Sequence, residues 1–208
     1  MTKETWPPDV FEALFRASTD PWDFETTPYE RSKLEHLLSC IPDEHTGFAV
    51  ELGCAIGVGT RKLAERCDRV LAVDASATAL GMAQKRCAEM QHVSFVEAFL
   101  PDGYPASQVA GCDLMIVSEL LYFLTKDDIR KLAACVTASL EKDGALLLVN
   151  WTGHTDTPCT GDEAADCFIQ ACAECLWEVD YRERSQSYRL ERVRYAGEPG
   201  TEEPHETG

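Results

Sequence analysis

An acidic residue followed by a turn of small residues opens the most regular part of the sequence. The stretch reads Glu51-Leu-Gly53-Cys54-Ala55-Ile-Gly57 and lies between an apolar run and a helical pattern. Small residues allow a tight strand-to-helix turn and let its backbone approach a ligand closely. A nucleotide pyrophosphate prefers the spacing GxGxxG, and the carboxylate of Glu51 would repel it. We therefore expect Glu51 to accept a hydrogen bond from a ligand ammonium.

A second carboxylate, Asp74, closes the next apolar run of the sequence. In nucleoside-binding α/β folds, an acidic residue about 20 positions beyond the turn accepts hydrogen bonds from ribose hydroxyls. The structural alternative is a charge that favours the start of the helix near Ser76. The combined spacing of Glu51 and Asp74 favours the ribose role.

Glu119 follows a further apolar run, 112–118, and is our first candidate for a general base. Ligands of open α/β sheets bind beyond the carboxyl ends of the strands, so Glu119 should face the reacting group. A protonated amine must lose its proton before its nitrogen can react, and a carboxylate in a partly desolvated cleft can accept it. His154, in the loop after a later strand, is the runner-up base. The alternatives are a helix-start carboxylate for Glu119 and a surface-loop histidine for His154.

Three further side chains are candidates for contacting the substrate, and each has a structural alternative. Tyr122 would line the site or else pack in the core. Trp22 would offer a flat face to a sugar or else anchor the N-terminal segment. Glu163 is the third, although Thr160 three residues before it predicts a helix-capping box that can explain the pair by itself.

Alternating strand and helix patterns are expected to position these residues. The predicted strands are 48–52, 69–74, 93–97, 112–118, 145–151, 177–183 and 188–195. The predicted helices are 9–17, 29–39, 57–67, 76–90, 126–141 and 161–176. Alternation of this kind implies a parallel sheet with helices on both faces, and the last two strands indicate an antiparallel edge.

Composition narrows the class of partner. The chain has 208 residues, with 19 Lys and Arg against 36 Asp and Glu, a net charge of −17. This charge argues against nucleic acid and against an anionic membrane surface as partners. No apolar run approaches the roughly 18 residues of a membrane span, and a signal-peptide pattern is absent from the first residues, so we expect a cytoplasmic protein. The oligomeric state stays open.

Cysteine and histidine usage gives little sign of a metal site or a disulfide framework. The ten cysteines lie mostly inside apolar helix or strand patterns, and we expect all of them to be reduced, small core residues. The five histidines are widely separated, so we expect no bound metal.

The segment from Glu51 to Gly57, Asp74 and the stretch Cys112-Asp-Leu-Met-Ile-Val-Ser118-Glu119 resemble the class I S-adenosylmethionine-dependent methyltransferases. The resemblance covers residues 48–151. It implies a Rossmann-like α/β fold, with a seven-stranded, mostly parallel sheet in the order 3-2-1-4-5-7-6. It also implies S-adenosyl-L-methionine as cofactor and S-adenosyl-L-homocysteine as product, with the methionine moiety near Gly53 and Ala55 and the ribose on Asp74. The candidate cofactor-binding residues are Tyr29, Lys33, Glu51, Gly53, Cys54, Ala55, Gly57, Asp74, Ala75, Glu97, Ala98, Phe99 and Ser118.

Two positions depart from the usual pattern of that class. Many relatives have glycine where this sequence has Ala55, a small change that we expect to be tolerated. Relatives usually carry an acidic residue, which binds the adenine amino group, where this sequence has Phe99. Either Glu97 or a backbone carbonyl replaces that acid, or Phe99 packs on the adenine face.

Four segments, 20–33, 50–57, 117–124 and 160–163, resemble the rhizobial nodulation protein S family. The resemblance implies a small-molecule N-methyltransferase that acts on the free amine of an N-deacetylated chitooligosaccharide. It implies that residues 1–45 form a helical lid over a methyltransferase domain at 46–196. It also implies that an acid of the segment 160–163 faces the cleft, and we choose Glu163. We expect the polar residues 197–208 to be disordered. Lys33, one helical turn after Tyr29, would meet the methionine carboxylate of the cofactor or else be a solvated lysine.

The leading hypothesis is therefore N-methylation of the free amine of an amino sugar or a chitooligosaccharide-like small molecule. A second hypothesis is O-methylation, or methylation of another small acceptor, because the cofactor motif does not identify the acceptor. A nicotinamide-dependent dehydrogenase is disfavoured by the turn spacing and by Glu51. A non-catalytic binding module with the same fold is the remaining alternative.

Overall fold

The computed structural model describes residues 4–42 and 46–197, and the strands in these ranges form one sheet. The strands are β1 (Thr46–Leu52), β2 (Cys67–Asp74), β3 (Val93–Glu97), β4 (Cys112–Ser118), β5 (Leu140–Trp151), β6 (Trp177–Arg184) and β7 (Tyr188–Tyr195). Their order is β3-β2-β1-β4-β5-β7-β6. Strand β7 is antiparallel to β5 and β6, and the other neighbours are parallel. The predicted fold class and strand order are confirmed.

Helices cover both faces of the sheet. They are α1 (Pro8–Ala17), α2 (Pro28–Ser39), α3 (Val58–Ala64), α4 (Ala77–Arg86), α5 (Ala106–Val109), α6 (Lys126–Ser139) and α7 (Gly161–Ala173), with a short 3-10 helix at Leu121–Phe123. Side chains of β1 alternate between the faces, because successive residues of a strand point in opposite directions. Val50 joins the apolar cluster that contains Ile129 and Phe168 of α6 and α7. Ala49 joins the cluster that contains Leu37 and Leu63 of α2 and α3.

Several predicted helices end too late in the chain. The predicted ends at 67, 90, 141 and 176 lie at Ala64, Arg86, Ser139 and Ala173 in the structure. Sheet pairing takes over at two of these ends, since Cys67 pairs with Thr46 and Leu140 pairs with Cys112. Helix α5 and the 3-10 helix were not predicted, because segments of three or four residues are too short to show a period.

The ten cysteines are all free, and seven of them are buried. The prediction that every cysteine is a core residue is wrong for Cys175, which is exposed in the turn after α7. Cys135 and Cys167 are half-buried. The predicted disorder of 197–208 concerns residues that lie, apart from Gly197, outside the described ranges.

The N-terminal segment, which we define as residues 4–42, is attached to the sheet domain at several points, two of which involve α1 and the residues before it. The amide of Trp6 donates to the carbonyl of Phe123 at 3.0 Å. The carboxylate of Glu12 in α1 accepts hydrogen bonds from Thr78 Oγ1 at 2.6 Å and from Ser76 Oγ at 2.7 Å, at the start of α4. The bonds from Thr78 and Ser76 lower the pKa of Glu12 to about 2. The predicted division into a lid and a domain near residue 45 stays a prediction.

Across the part of the chain that the structure describes, no helix combines the length and apolarity that a bilayer span requires. The cytoplasmic location stays a prediction.

Candidate active site

The small-residue turn after β1 is a tight, partly left-handed loop. Gly53, Ala55 and Gly57 have positive φ angles of 80°, 47° and 78°. The amides of Gly53 and Cys54 donate to the carbonyl of Val73 at 2.8 and 3.0 Å, which ties the turn to the end of β2. Ala55 holds its left-handed conformation at a cost of roughly 1 kcal/mol relative to glycine. The hydrogen bond from the amide of Ala55 to the carboxylate of Asp74 explains why the turn keeps this shape.

Glu51 is a buried carboxyl group at the base of the turn. Its Oε2 accepts a hydrogen bond from Thr60 Oγ1 at 2.5 Å. Its Oε1 faces Gly59 so closely that a side chain at Gly59 would collide with it. Burial raises the pKa of Glu51 to about 7, against the opposing effect of the Thr60 hydrogen bond. A carboxyl group in this state ionises when a cation approaches it, which suits an ammonium ligand.

Asp74 holds the turn from the end of β2. Its Oδ2 accepts a hydrogen bond from the amide of Ala55 at 2.8 Å, and its Oδ1 accepts one from the amide of Ser76 at 2.9 Å. Burial raises the pKa of Asp74, opposed by these backbone hydrogen bonds. The backbone amide of Ala75 contributes as well. A carboxylate offers about four acceptor positions, so at least one remains for a ligand hydroxyl. The helix-start role and the ligand role considered for Asp74 are therefore compatible.

Residues at the ends of β2, β3 and β4 add a largely apolar wall beside this turn. Ala98 and Phe99 follow β3, and Ala75 and Ser118 lie at the ends of β2 and β4. Glu97 points away, with an exposed side chain outside the cavity wall. Of the two side chains considered at the adenine position, the structure therefore places Phe99 at the cavity and not Glu97.

Glu119 lies directly after β4 and is held by three donors. Its Oε2 accepts hydrogen bonds from Tyr122 Oη at 2.8 Å and from the amide of Trp151 at 2.9 Å. Its Oε1 accepts one from Lys33 Nζ at 2.7 Å. The backbone of Glu119 has a φ of 54°, an unusual value for a residue other than glycine. Tyr122 therefore lies both in the core and at the site, where its hydroxyl fixes the carboxylate.

Lys33 is buried between two carboxylates. It is only 6% exposed, so the solvated-lysine alternative is wrong. Besides Glu119, its Nζ donates to Glu30 Oε1 at 2.9 Å, and it lies 5.2 Å from the centroid of the Tyr29 ring. An ammonium has three N–H donors, so one remains after the bonds to Glu30 and Glu119. If Lys33 contacts a cofactor carboxylate as predicted, it must do so through this third N–H.

Tyr29 lines the cavity and carries a polar group without a partner. Its hydroxyl is buried and has no hydrogen-bond partner among the described residues. The ring packs edge-on against Trp151, with centroids 5.8 Å apart, and against Tyr188, with centroids 6.2 Å apart. Buried hydroxyls are normally satisfied, so this one marks a place where a ligand or water belongs.

One cavity of about 680 Å³ joins all these groups at the carboxyl edge of the sheet. This volume lies within the usual range for small-molecule sites. The N-terminal segment supplies the opposite wall, including aromatic side chains such as Phe15, Trp22 and Phe24. The ring of Trp22 packs on Phe15 and Phe24, with centroids 5.5 and 5.8 Å apart, and the residue stays 37% exposed. Trp22 thus anchors the segment while keeping a free face.

The cavity wall is acidic. Its carboxylates are Glu30, Glu51, Asp74, Glu119 and Asp156. Lys33 is the one Lys or Arg among the described residues that line it. A low-dielectric cleft with this excess of negative groups favours cationic ligands and opposes anionic ones.

Besides Glu97, three residues chosen from the sequence lie away from the cavity wall. His154 is exposed in the loop after β5 and does not line the cavity. Glu163 is exposed, and its hydrogen bonds with Thr160 form the predicted capping box at the start of α7. Gly57 serves packing instead, because a Cβ there would meet Ala83 of α4 at 2.8 Å.

Sequence reasoning missed Glu30, Trp151 and Asp156, which all line the cavity. Glu30 lies three residues before Lys33 on one helix, a spacing typical of ion pairs, so this pair was detectable. Asp156 and Trp151 gave no comparable signal, because their approach to the cavity depends on the path of the loop after β5. No group of three metal-binding side chains was found within residues 4–42 and 46–197.

Solved structures with this fold support the architecture. The chain superimposes with a TM-score of 0.70 on the N-methyltransferase NodS from Bradyrhizobium japonicum WM9, solved in complex with S-adenosyl-L-homocysteine. The two are 24% identical, and the match covers 90% of this chain and 98% of the other, a likeness that establishes the fold. A methyltransferase of unassigned activity from Pseudomonas syringae matches with a TM-score of 0.65 and 32% identity, over 80% of this chain and 99% of the other.

Curated relatives and a family model identify the family. Nodulation protein S of Rhizobium tropici is 33% identical over 119 residues, which are 56% of this chain and 49% of that protein. Nodulation protein S of Bradyrhizobium diazoefficiens is 32% identical over 52% of this chain and 51% of that protein. The chain thus spans about half the length of the curated relatives it matches. The family model for nodulation protein S (NodS) matches residues 10–187, and the chain therefore belongs to the NodS family.

Proposed function

We propose that the chain is an S-adenosyl-L-methionine-dependent N-methyltransferase whose acceptor is the free amine of an amino sugar or an N-deacetylated chitooligosaccharide-like small molecule. The observation that carries the proposal is the cavity at the carboxyl edge of the sheet, with five carboxylates and one lysine in its wall. Such a wall suits two cationic groups at once, a sulfonium and an ammonium. Membership of the NodS family supports the same reaction class.

The residues around the turn fit the cofactor. Glu51 would accept hydrogen bonds from its ammonium, and Asp74 would accept them from the ribose hydroxyls. The ring of Phe99 would pack against the adenine. The buried, unpartnered hydroxyl of Tyr29 and the third N–H of Lys33 are donors that suit the methionine carboxylate.

Glu119 and its partners suit an acceptor amine. When bound, the cofactor would supply a methyl group that a nitrogen lone pair can attack. Glu119 would bind the acceptor ammonium, and the hydrogen bonds from Tyr122 and Trp151 would keep that carboxylate in position. Holding the nitrogen in line with the methyl carbon would supply much of the rate enhancement. His154 is left out of this proposal, because its side chain is exposed away from the cavity.

The N-terminal segment would act as a lid that excludes water from the transfer. Its aromatic side chains already line the cavity, and Trp22 keeps a free face for a sugar ring. A deletion of residues 1–28 should abolish turnover while the sheet domain still unfolds cooperatively. Normal turnover by this truncated protein would refute the lid.

Calorimetry with S-adenosyl-L-homocysteine tests the cofactor site. Wild type should bind, and Asp74→Ala should lose roughly 10- to 100-fold in affinity, because hydrogen bonds to a charged group contribute about 1.5–3 kcal/mol. Asp74→Asn keeps one amide acceptor and should bind with intermediate affinity. If wild type does not bind S-adenosyl-L-homocysteine, the non-catalytic binding module becomes the favoured interpretation.

Methyl transfer to matched sugars tests the acceptor. Glucosamine carries a free amine, N-acetylglucosamine a blocked amine, and glucose only hydroxyls. We expect transfer from S-adenosyl-L-methionine to glucosamine, or to its β-1,4-linked dimer, and to neither control sugar. Transfer to glucose and N-acetylglucosamine would indicate O-methylation and contradict the amine assignment.

A further inference from the structure

Glu30, Lys33 and Glu119 form a carboxylate–ammonium–carboxylate group in the cavity wall. Lys33 Nζ lies 2.7 Å from Glu119 Oε1 and 2.9 Å from Glu30 Oε1. The side chains of Glu30, Lys33 and Glu119 are 15%, 7% and 13% exposed. With both carboxylates ionised, the group has one negative charge in excess. An incoming ammonium would neutralise this charge, so the group is incomplete without a cation.

The two carboxylates are not equivalent. Glu119 accepts hydrogen bonds from three groups, namely Lys33, Tyr122 and the amide of Trp151, which leaves about one acceptor position free. Lys33 is the hydrogen-bond partner of the Glu30 side chain. Glu119 is therefore a fixed anchor, whereas Glu30 retains most of its acceptor positions for a proton.

The surroundings of Glu30 favour proton uptake. Burial raises the pKa of Glu30, and the nearby carboxylates of Glu119 and Asp20 raise it further, while Lys33 opposes them. Asp20 belongs to the loop between α1 and α2, so the charges facing Glu30 come from the N-terminal segment and from the end of β4. A base with a raised pKa is closer to the pKa of an amine, and proton transfer from an ammonium to it is easier.

We propose that Glu30 is the proton acceptor of the methyl-transfer site, that Glu119 anchors the acceptor ammonium, and that Lys33 keeps the two carboxylates in position. The proposal rests on the N-methyltransferase function proposed above. It adds a catalytic residue and gives Glu119 the narrower task of binding.

Glu30 takes one proton from the acceptor R–NH3+, which leaves R–NH2 with a free lone pair. The nitrogen then forms a bond to the methyl carbon as the carbon–sulfur bond breaks, and the bonding pair stays on sulfur. The product is R–NH2+–CH3, and the proton on Glu30 leaves to solvent before the next turnover.

Glu30→Gln, Glu119→Gln and Glu35→Gln test the assignment, with glucosamine as acceptor. Glu35 is exposed on the same helix as Glu30 and lies outside the cavity wall, so its variant controls for the lost charge. At pH 7, Glu30→Gln should lower kcat about 100-fold, the low end of the contribution of a general base. Its rate relative to wild type should rise with pH as the free amine of glucosamine comes to predominate, because the lost base is then less needed. Glu119→Gln should raise KM across the pH range, and Glu35→Gln should behave as wild type.

Two kinetic results would overturn the assignment. One is a Glu30→Gln enzyme with the activity of Glu35→Gln at pH 7. The other is a Glu30→Gln enzyme that loses activity by the same factor at every pH, because a merely structural role of Glu30 would produce that result. A cooperative unfolding transition in Glu30→Gln serves as the check on folding.

A readout without turnover separates this inference from the proposed function. The measurement is NMR of wild type that is labelled with 13C at the glutamate carboxyls and saturated with S-adenosyl-L-homocysteine. The Glu30 resonance is identified as the one missing from the spectrum of Glu30→Gln. It should titrate at a higher pH than an ordinary glutamate. It should also shift when glucosamine is added. If wild type fails to methylate glucosamine but this shift occurs, the proposed function fails while the amine site stands. A Glu30 resonance that does not shift when glucosamine is added overturns the inference, whether or not wild type methylates glucosamine.

Discussion

The two ends of the cavity are built in different ways. At the turn end, each carboxylate is held by groups that are near in the chain: Thr60 is 9 residues from Glu51, and Ala55 is 19 residues from Asp74. At the acceptor end, Lys33 and Glu119 are 86 residues apart and belong to the N-terminal segment and the sheet domain. The turn end is therefore a local property of β1, β2 and their connections. The acceptor end exists only when the N-terminal segment is in place.

This difference teaches how binding and turnover should separate. Changes in the N-terminal segment should reduce turnover more than affinity for the cofactor, since the turn end keeps its own hydrogen bonds. Changes in the turn should reduce cofactor affinity first. Four perturbations test this contrast, in decreasing order of expected effect on stability.

The largest effect is expected for Glu119→Ala. It leaves Lys33, the Tyr122 hydroxyl and the Trp151 amide without their shared acceptor. Lys33 keeps its pairing with Glu30, so the cost comes from three lost hydrogen bonds to a charged group. At about 1.5 kcal/mol each, their loss should lower the free energy of unfolding by about 4 kcal/mol. Urea denaturation measures it. Glu119→Gln retains an acceptor oxygen and should lose much less, and equal stability of the alanine variant and wild type would show that this network does not hold the acceptor end together.

Glu51→Gln should increase stability while it weakens cofactor binding. The pKa of Glu51 is about 7 in the folded protein against 4.5 for the ordinary group, so the folded state binds an extra proton between these values. Stability is then lost as pH rises from 4.5 through 7. A neutral glutamine avoids this loss, which amounts to about 3 kcal/mol at pH 8.

Thermal unfolding at pH 5 and pH 8, with calorimetry of S-adenosyl-L-homocysteine binding, checks both halves of this prediction. The variant should gain stability mainly at pH 8 and should bind roughly tenfold or more weakly, because a charged acceptor is lost. A variant that is less stable than wild type at pH 8 would contradict the account of Glu51.

Gly57→Ala tests the packing of the turn end. The residue has a φ of 78°, and an added Cβ would meet Ala83 of α4 at 2.8 Å. Left-handed strain in alanine, together with this contact, should cost roughly 2 kcal/mol of unfolding free energy. Gly81 lies on α4 with no atom within 4 Å of an added Cβ, so Gly81→Ala should instead stabilise by about 0.5 kcal/mol. Equal effects of the two substitutions would refute the packing role.

The smallest effect concerns the attachment of the N-terminal segment through Glu12. The pKa of Glu12 is about 2 in the folded protein against 4.5 for the ordinary group. The stabilisation is therefore complete above 4.5 and is lost as pH falls towards 2. Amide hydrogen exchange, corrected for the intrinsic rate, should show α1 loosening in this acidic range.

Glu12→Gln supplies the matched comparison for that experiment. It should show at pH 6 the loosened α1 that wild type shows only in acid, while the sheet amides keep their protection. Exchange in α1 that is the same in both proteins at pH 6 would mean that Glu12 does not attach the segment.

Prediction from the sequence was most successful where the signal was periodic or local. The seven strands could be predicted because buried strands are apolar runs. Their order followed from the resemblance of residues 48–151 to the class I methyltransferases. The capping box at Thr160 and Glu163 was likewise local, and the structure contains it. The proposed cleft position of Glu163 depended on the direction of a side chain, which three residues of sequence do not specify.

The sequence by itself determined the sheet, the small-residue turn and the placement of Glu51, Asp74 and Glu119 at strand ends. These features depend on hydrophobic period and on contacts between chain neighbours, which a single sequence displays. Only the tertiary structure decided that Lys33 pairs with Glu119, that Asp156 reaches the cavity, and that His154 and Glu97 do not. The physical reason is that these outcomes depend on how the N-terminal segment and the loop after β5 pack against the sheet edge, and such packing joins residues far apart in the chain.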